Sequence, residues 1–157
     1  MSSKVQFQYE LTGSGWAECH LSIGAARCAI TASYLSDALG DLATAVTEVL
    51  RHPDVEARVA FLEEPGEFRW RFLPAGPNRV RVKIIQFSDW NESSDESGKV
   101  IFDTACERRA LADSVAKELR RLLTVHGARG YRKKWVEHAF PKKPLEALEA
   151  LLSRGDG

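Results

Sequence analysis

The sequence predicts an α+β fold: one antiparallel sheet of about seven strands, ordered βββ-α-ββββ-α-α-α, with the helices packed on one face. Three observations predict it. Apolar and polar residues alternate with period two in several short segments. Turn-forming clusters such as TGSG, EPGE and PAGPN separate those segments. Two longer stretches instead repeat Leu and Val at helical spacing.

Residues 4–11 set Val5, Phe7, Tyr9 and Leu11 against Lys4, Gln6, Gln8 and Glu10, as a half-buried strand does. Residues 16–23 repeat the pattern through Ala17, Cys19, Leu21 and Ile23, and Cys28, Ile30 and Ala32 continue it beyond Gly24. A helix follows, with Ser33 or Ser36 as its cap and Asp37 and Asp41 near its positive end. Leu35, Leu39, Leu42, Val46, Val49 and Leu50 form its apolar stripe, and Pro53 ends it.

Strands resume with Val55, Ala57, Val59 and Phe61, then Phe68, Trp70 and Phe72, then Val80, Val82 and Ile84. Glu64-Pro65-Gly66-Glu67 and PAGPN are the turns between them. Ile85 and Phe87 fall on the face that had been polar, which predicts a bulge or a cover over that end of the sheet. Residues 88–99 form a polar acidic loop carrying Asp89, Glu92, Asp95 and Glu96, and residues 100–102 a short seventh strand. Thr104 and Glu107 have capping-box spacing and predict the start of a long helix striped by Leu111, Val115, Leu119 and Leu122. Gly127 predicts its stop, residues 131–137 a short basic helix, and Pro144 the first turn of a last helix through Leu145, Leu148 and Leu152.

A length of 157 residues predicts a single globular domain over 1–153 with a frayed tail at 154–157. The 22 basic and 22 acidic residues balance, and the isoelectric point near 6.9 excludes a surface basic all over. The N-terminus, MSSKVQFQYE, is polar and lacks a signal-peptide core, and no apolar run suits a membrane helix. Cys19, Cys28 and Cys106 are odd in number and lack CxxC spacing, which fits free thiols in the cytoplasm. Cys19 and Cys28 are expected in the core. Cys106, in the first turn of the long helix, is the thiol whose pKa the dipole would lower.

No catalytic or metal motif is present. His20, His52, His126 and His138 have neither HExxH nor zinc-finger spacing, the acidic loop lacks the ligand spacing of an EF-hand, and no glycine-rich phosphate loop occurs. No cofactor is expected, and a non-enzymatic protein is favoured over an enzyme. Two clusters stand out as a candidate binding surface. In the sheet, Arg71 is expected beside Arg81 and Arg69 beside Lys83, and like charges face to face cost stability. Neutralisation by Glu56, Glu63, Glu67 or carboxylates of the helices is the alternative, structural reading. Near the C-terminus, residues 129–143 read RGYRKKWVEHAFPKK. Arg129, Arg132, Lys133 and Lys134 supply charge. Tyr131 and Trp135, one turn apart, either stack on bases or anchor the helix to the core.

The segments WAECHLSIG, TASYLSDALGDL, EEPGEFRWRF and GYRKKWVEHAF together resemble an uncharacterised family of small bacterial proteins, a resemblance that implies no activity and no site residues. The element order is also somewhat similar to helix-grip ligand-binding domains. The expected function is a cytosolic binding or regulatory protein that recognises a macromolecule, an acidic protein surface first, through its basic surface. One alternative is a carrier of small apolar ligands, with Trp70, Phe72 and Phe102 lining a pocket under the long helix. The other is a nucleic-acid-binding module. A membrane partner is not expected, and a homodimer is compatible with the sequence.

Overall fold

The computed structural model describes residues 4–89, 94–136 and 138–154. Glu92, Glu137 and residues 155–157 of the tail lie outside the described residues. Seven strands and three helices follow one another: β1 (Val5–Gly13), β2 (Trp16–Ile23), β3 (Ala26–Ser33), α1 (Ala38–Arg51), β4 (Ala57–Leu62), β5 (Glu67–Pro74), β6 (Arg79–Phe87), β7 (Lys99–Glu107), α2 (Arg108–Trp135) and α3 (Lys142–Ser153). The fold is α+β and every strand pair is antiparallel.

Hydrogen bonding divides the strands into two meanders, β1-β2-β3 and β4-β5-β6-β7. The reason lies where β3 hands over to β4. Ser33 Oγ donates to the Leu62 carbonyl at 2.8 Å, and the Leu62 N–H donates to Ser36 Oγ at 3.4 Å. Side-chain hydroxyls thus take the backbone groups of Leu62, and a ladder does not join the two sheets. The same bonds correct the expected helix cap. Asp37 is the N-cap of α1, without a side-chain capping bond, because Ser33 and Ser36 are turned toward β4.

The inward faces follow the alternation. Phe7 and Tyr9, Cys19 and Leu21, Ile30, Val59 and Phe61, Trp70 and Phe72, and Val82 and Ile84 meet in one apolar cluster. Leu39, Leu42 and Val46 of α1, Leu111, Leu119 and Leu122 of α2, and Leu145 and Leu148 of α3 close it. Burying such side chains contributes about 1.5–3 kcal/mol each, and this is what holds the helices on the sheets.

The register slips between Ile84 and Ile85, a bulge that re-aims the end of β6. Ile85 and Phe87 are nevertheless buried, under the segment that enters β7. A Cβ on Gly98 would meet Ile85 Cγ2 at 2.4 Å and the Phe87 ring at 2.7 Å, so only glycine permits that approach.

The capping box is not formed. Thr104 lies within β7, paired with Val82, and α2 begins only at Arg108 with Glu107 as an uncapped N-cap. Pairing with β6 competes successfully for the backbone that a cap would have used. The predicted long and short helices run on as one element, broken where Gly127 leaves helical geometry at φ 70°, ψ 165°. Among the described residues no helix is long and apolar enough to cross a membrane.

Candidate functional site

The basic segment begins in about the last two turns of α2 and runs on into the start of α3. Arg129, Arg132, Lys133 and Lys134 are exposed, whereas Tyr131 and Trp135 are fully buried. Spacing of four residues puts both rings on one helix face, and that face docks. Trp135 lies 6.3 Å from the Tyr9 ring, and Tyr131 meets Phe140 edge-on at 5.3 Å. The helix end is fixed from the first hairpin: the Gly15 N–H donates to the Lys134 carbonyl at 2.8 Å. Gly15 has φ 82°, and a Cβ there would sit 2.9 Å from Tyr34 Cβ, so this capping turn requires glycine.

Directly after the docked rings, Val136 takes φ 86°, ψ −62° and remains half exposed. That is the geometry of the rare, strained γ-turn, adopted by a β-branched residue. Val125, just before the break at Gly127, is also exposed. Among the described residues none of the four cations forms an ion pair. Their field reaches a neighbour: burial first, then the charges of Lys134 and Arg121, push the His126 imidazole below its ordinary value. The result is a rigidly mounted basic ridge with two exposed valines and no exposed ring.

The sheet cluster is arranged differently from expectation. Pro74 pairs with Val80, so the register moves by two residues: Arg71 faces Lys83, Arg69 faces Ile85 and Arg81 faces Leu73. The turn encloses residues 75–79, longer than the spacing suggested. Each cation has a carboxylate nearby. Arg69 bonds Glu67 and Asp95, both at 2.9 Å; Arg71 bonds Asp95 and Glu56; Arg81 bonds Asp103 at 2.6 Å. Lys83 sits across the ladder from Asp103. Arg69 also lies over the Phe87 ring, 4.3 Å from its centre. Asp95 of the acidic loop therefore clasps both guanidiniums.

Burial works against the charge on Asp95, but hydrogen bonds from Arg69 and Arg71 and their charges outweigh it and hold the carboxyl below its ordinary value. A depressed carboxylate stabilises the fold above its unfolded pKa and ceases to do so as pH falls through the folded value. Asp95→Asn should lower stability by about 1–2 kcal/mol at pH 7, after discounting for partial exposure. The difference from the parent should shrink below about pH 4, where the unfolded carboxyl protonates. Urea titrations at the two pH values check this. An equal loss at both would mean that Asp95 acts by shape and not by charge.

Trp70, Phe72 and Phe102 are buried in the apolar cluster, with Trp70 and Phe72 stacked at 5.9 Å and Phe61 5.2 Å from Trp70. The three rings pack against protein. The thiols also depart from one expectation. Cys19, Cys28 and Cys106 are all free, but Cys106 is a fully buried residue of β7, not of the helix. Burial pushes its pKa up to about 11, the reverse of what a helix N-terminus would do. Among the described residues no group of three or more His, Cys, Asp or Glu side chains is placed to hold a metal.

Two arrangements were not visible in the sequence. Glu118 and Arg121 of α2 bond the backbone of Tyr9 in β1. Arg108, Arg109 and Arg154 share a cleft formed where α1, α2 and α3 end or begin. The one available signal for the second was the first turn of α2, which holds two arginines and no acid. Comparison with known protein families, curated proteins and solved structures finds no match.

Proposed function

We propose that this chain is a non-enzymatic, cytosolic binding module that engages an acidic protein surface through the ridge of Arg129, Arg132, Lys133 and Lys134. The observation that carries the reading is the ridge itself: four exposed cations on a helix end fixed by the buried Tyr131 and Trp135. Pre-organised charge of this kind gives orientation and on-rate. The exposed, strained Val136 supports it, because strain in a binding element is offset by contacts made elsewhere. A protein partner is favoured over nucleic acid because the rings that would stack on bases are in the core, while apolar contacts are offered by Val125 and Val136. The three free thiols support a reducing compartment.

The test is fluorescence anisotropy with two probes: a peptide of alternating Glu and Leu, and a single-stranded oligonucleotide of equal charge. The peptide is expected to bind, and R132Q/K133Q/K134Q to weaken it about tenfold or more with a flatter salt dependence. Val136→Gly should relieve backbone strain and stabilise the fold by about 1 kcal/mol, yet weaken the peptide. Absence of peptide binding, or submicromolar oligonucleotide binding at physiological salt, would overturn the proposal.

A further inference from the structure

At the other end of α2 from the basic ridge lies a cleft of about 530 Å³. Its size falls within the range of small-molecule sites. Four separate pieces of chain build it. Leu50 comes from the last turn of α1, Asn78 from the turn between β5 and β6, Arg108 and Arg109 from the start of α2, and Leu151 and Arg154 from the end of α3.

Three arginines therefore line one concave surface, and among the described residues none of them forms an ion pair. Elsewhere in the fold Arg69, Arg71, Arg81, Arg120 and Arg121 each have a carboxylate. In the cleft the partners are backbone carbonyls. Arg108 Nη2 donates to Pro77 O, and Arg109 Nη2 donates to Leu152 O at 2.6 Å. Those bonds fix the guanidiniums and leave most of their five donors each unused. Arg108 Nε is buried without a hydrogen-bond partner. The carboxylate at the rim, Glu107, is the ladder partner of Arg79.

The local electrostatics favour an anion a second time. Two arginines occupy the positive end of a helix dipole, where cations are unfavourable. The Glu107 side chain makes no capping bond, so it does not take up the first-turn N–H groups. An anion held by the guanidiniums would relieve this like-charge crowding. Arginine forks match the oxygens of a phosphate. Leu50 and Leu151 add an apolar wall beside them.

We infer that the cleft binds a phosphorylated small molecule, its phosphate on Arg108, Arg109 and Arg154 and its apolar body against Leu50 and Leu151. The inference is independent of the basic ridge at the far end of α2.

The test is calorimetric titration of the full chain with phenyl phosphate, benzoate and inorganic phosphate. Phenyl phosphate is expected to bind about fivefold or more tightly than either of the others, because it alone offers both the dianion and the ring. R154Q changes an exposed side chain and should weaken phenyl phosphate about tenfold with no change in melting temperature. R109K keeps the charge but loses the fork, and should weaken it likewise. R132Q, on the ridge, should leave it unchanged. Phenyl phosphate that fails to bind, that binds R154Q and R109K as well as the parent, or that loses affinity in R132Q would overturn the assignment. Benzoate binding as tightly as phenyl phosphate would overturn the choice of phosphate.

Discussion

Trp135→Ala should lower the stability of the protein by about 3–5 kcal/mol, the cost of removing a large aromatic side chain from a closed core. Trp135 is fully buried, packs toward Tyr9 of β1, and sits in the turn whose last carbonyl is held by Gly15. Its removal opens a cavity and frees the end of α2 together. Domains of this size have a total stability of roughly 5–15 kcal/mol, so the variant would be close to unfolding at ordinary temperature. The neighbouring cations provide the contrast. Lys133 and Lys134 differ from Trp135 by one or two positions but face solvent, and replacing them with Gln should change stability by less than about 0.5 kcal/mol. Urea denaturation followed by far-UV circular dichroism separates the two effects. A loss below about 1 kcal/mol for Trp135→Ala would show that the segment is not docked, and would remove the rigid mount on which the ridge proposal depends.

The strands were legible in the sequence because each buries one face, and period-two alternation is the direct trace of that. The stripe of α1 was legible for the same reason with period 3.6. What failed were choices between competing hydrogen bonds. Ser33, Ser36 and Thr104 all have side chains able to cap a helix, and the sequence does not say that a neighbouring strand claims the local backbone first. The sheet boundary was invisible for a related reason: alternation reports burial, not which strand is the ladder partner. The five-residue turn after β5 shifted the arginine register by two, which preserves the face of every side chain and so leaves no mark in the pattern. In the basic segment, the spacing of Tyr131 and Trp135 placed both rings on one face, but whether that face meets the core or a ligand is a tertiary fact. The arginine cleft joins positions 50, 78, 108 and 154, which no local reading brings together.

Glu118 carries the second large expected effect. It interrupts the polar face of nothing obvious in the sequence, yet it is buried, and its carboxylate accepts the Tyr9 N–H at 2.7 Å. Arg121, one turn on, donates to both Glu118 oxygens at 2.8 and 2.7 Å and to the Tyr9 carbonyl at 3.2 Å. Strand β1 is an edge of its sheet, and Tyr9 would otherwise present an unpaired donor and acceptor there. The Glu118–Arg121 pair supplies an acceptor and a donor to that residue, as a neighbouring strand would. Glu118→Ala leaves a buried N–H unsatisfied and deletes charge-assisted hydrogen bonds, for an expected loss of about 3 kcal/mol. Arg121→Ala should cost only about 1 kcal/mol, because the guanidinium is nearly half exposed and water replaces it. Hydrogen exchange gives an independent readout: the Tyr9 amide should lose protection in Glu118→Ala ahead of its neighbours in β1. The opened edge should also make this variant self-associate as concentration rises, while Arg121→Ala stays unassociated. If Glu118→Ala costs no more than Arg121→Ala, the bond to Tyr9 contributes little, and the edge of β1 is protected by the packing of α2 alone.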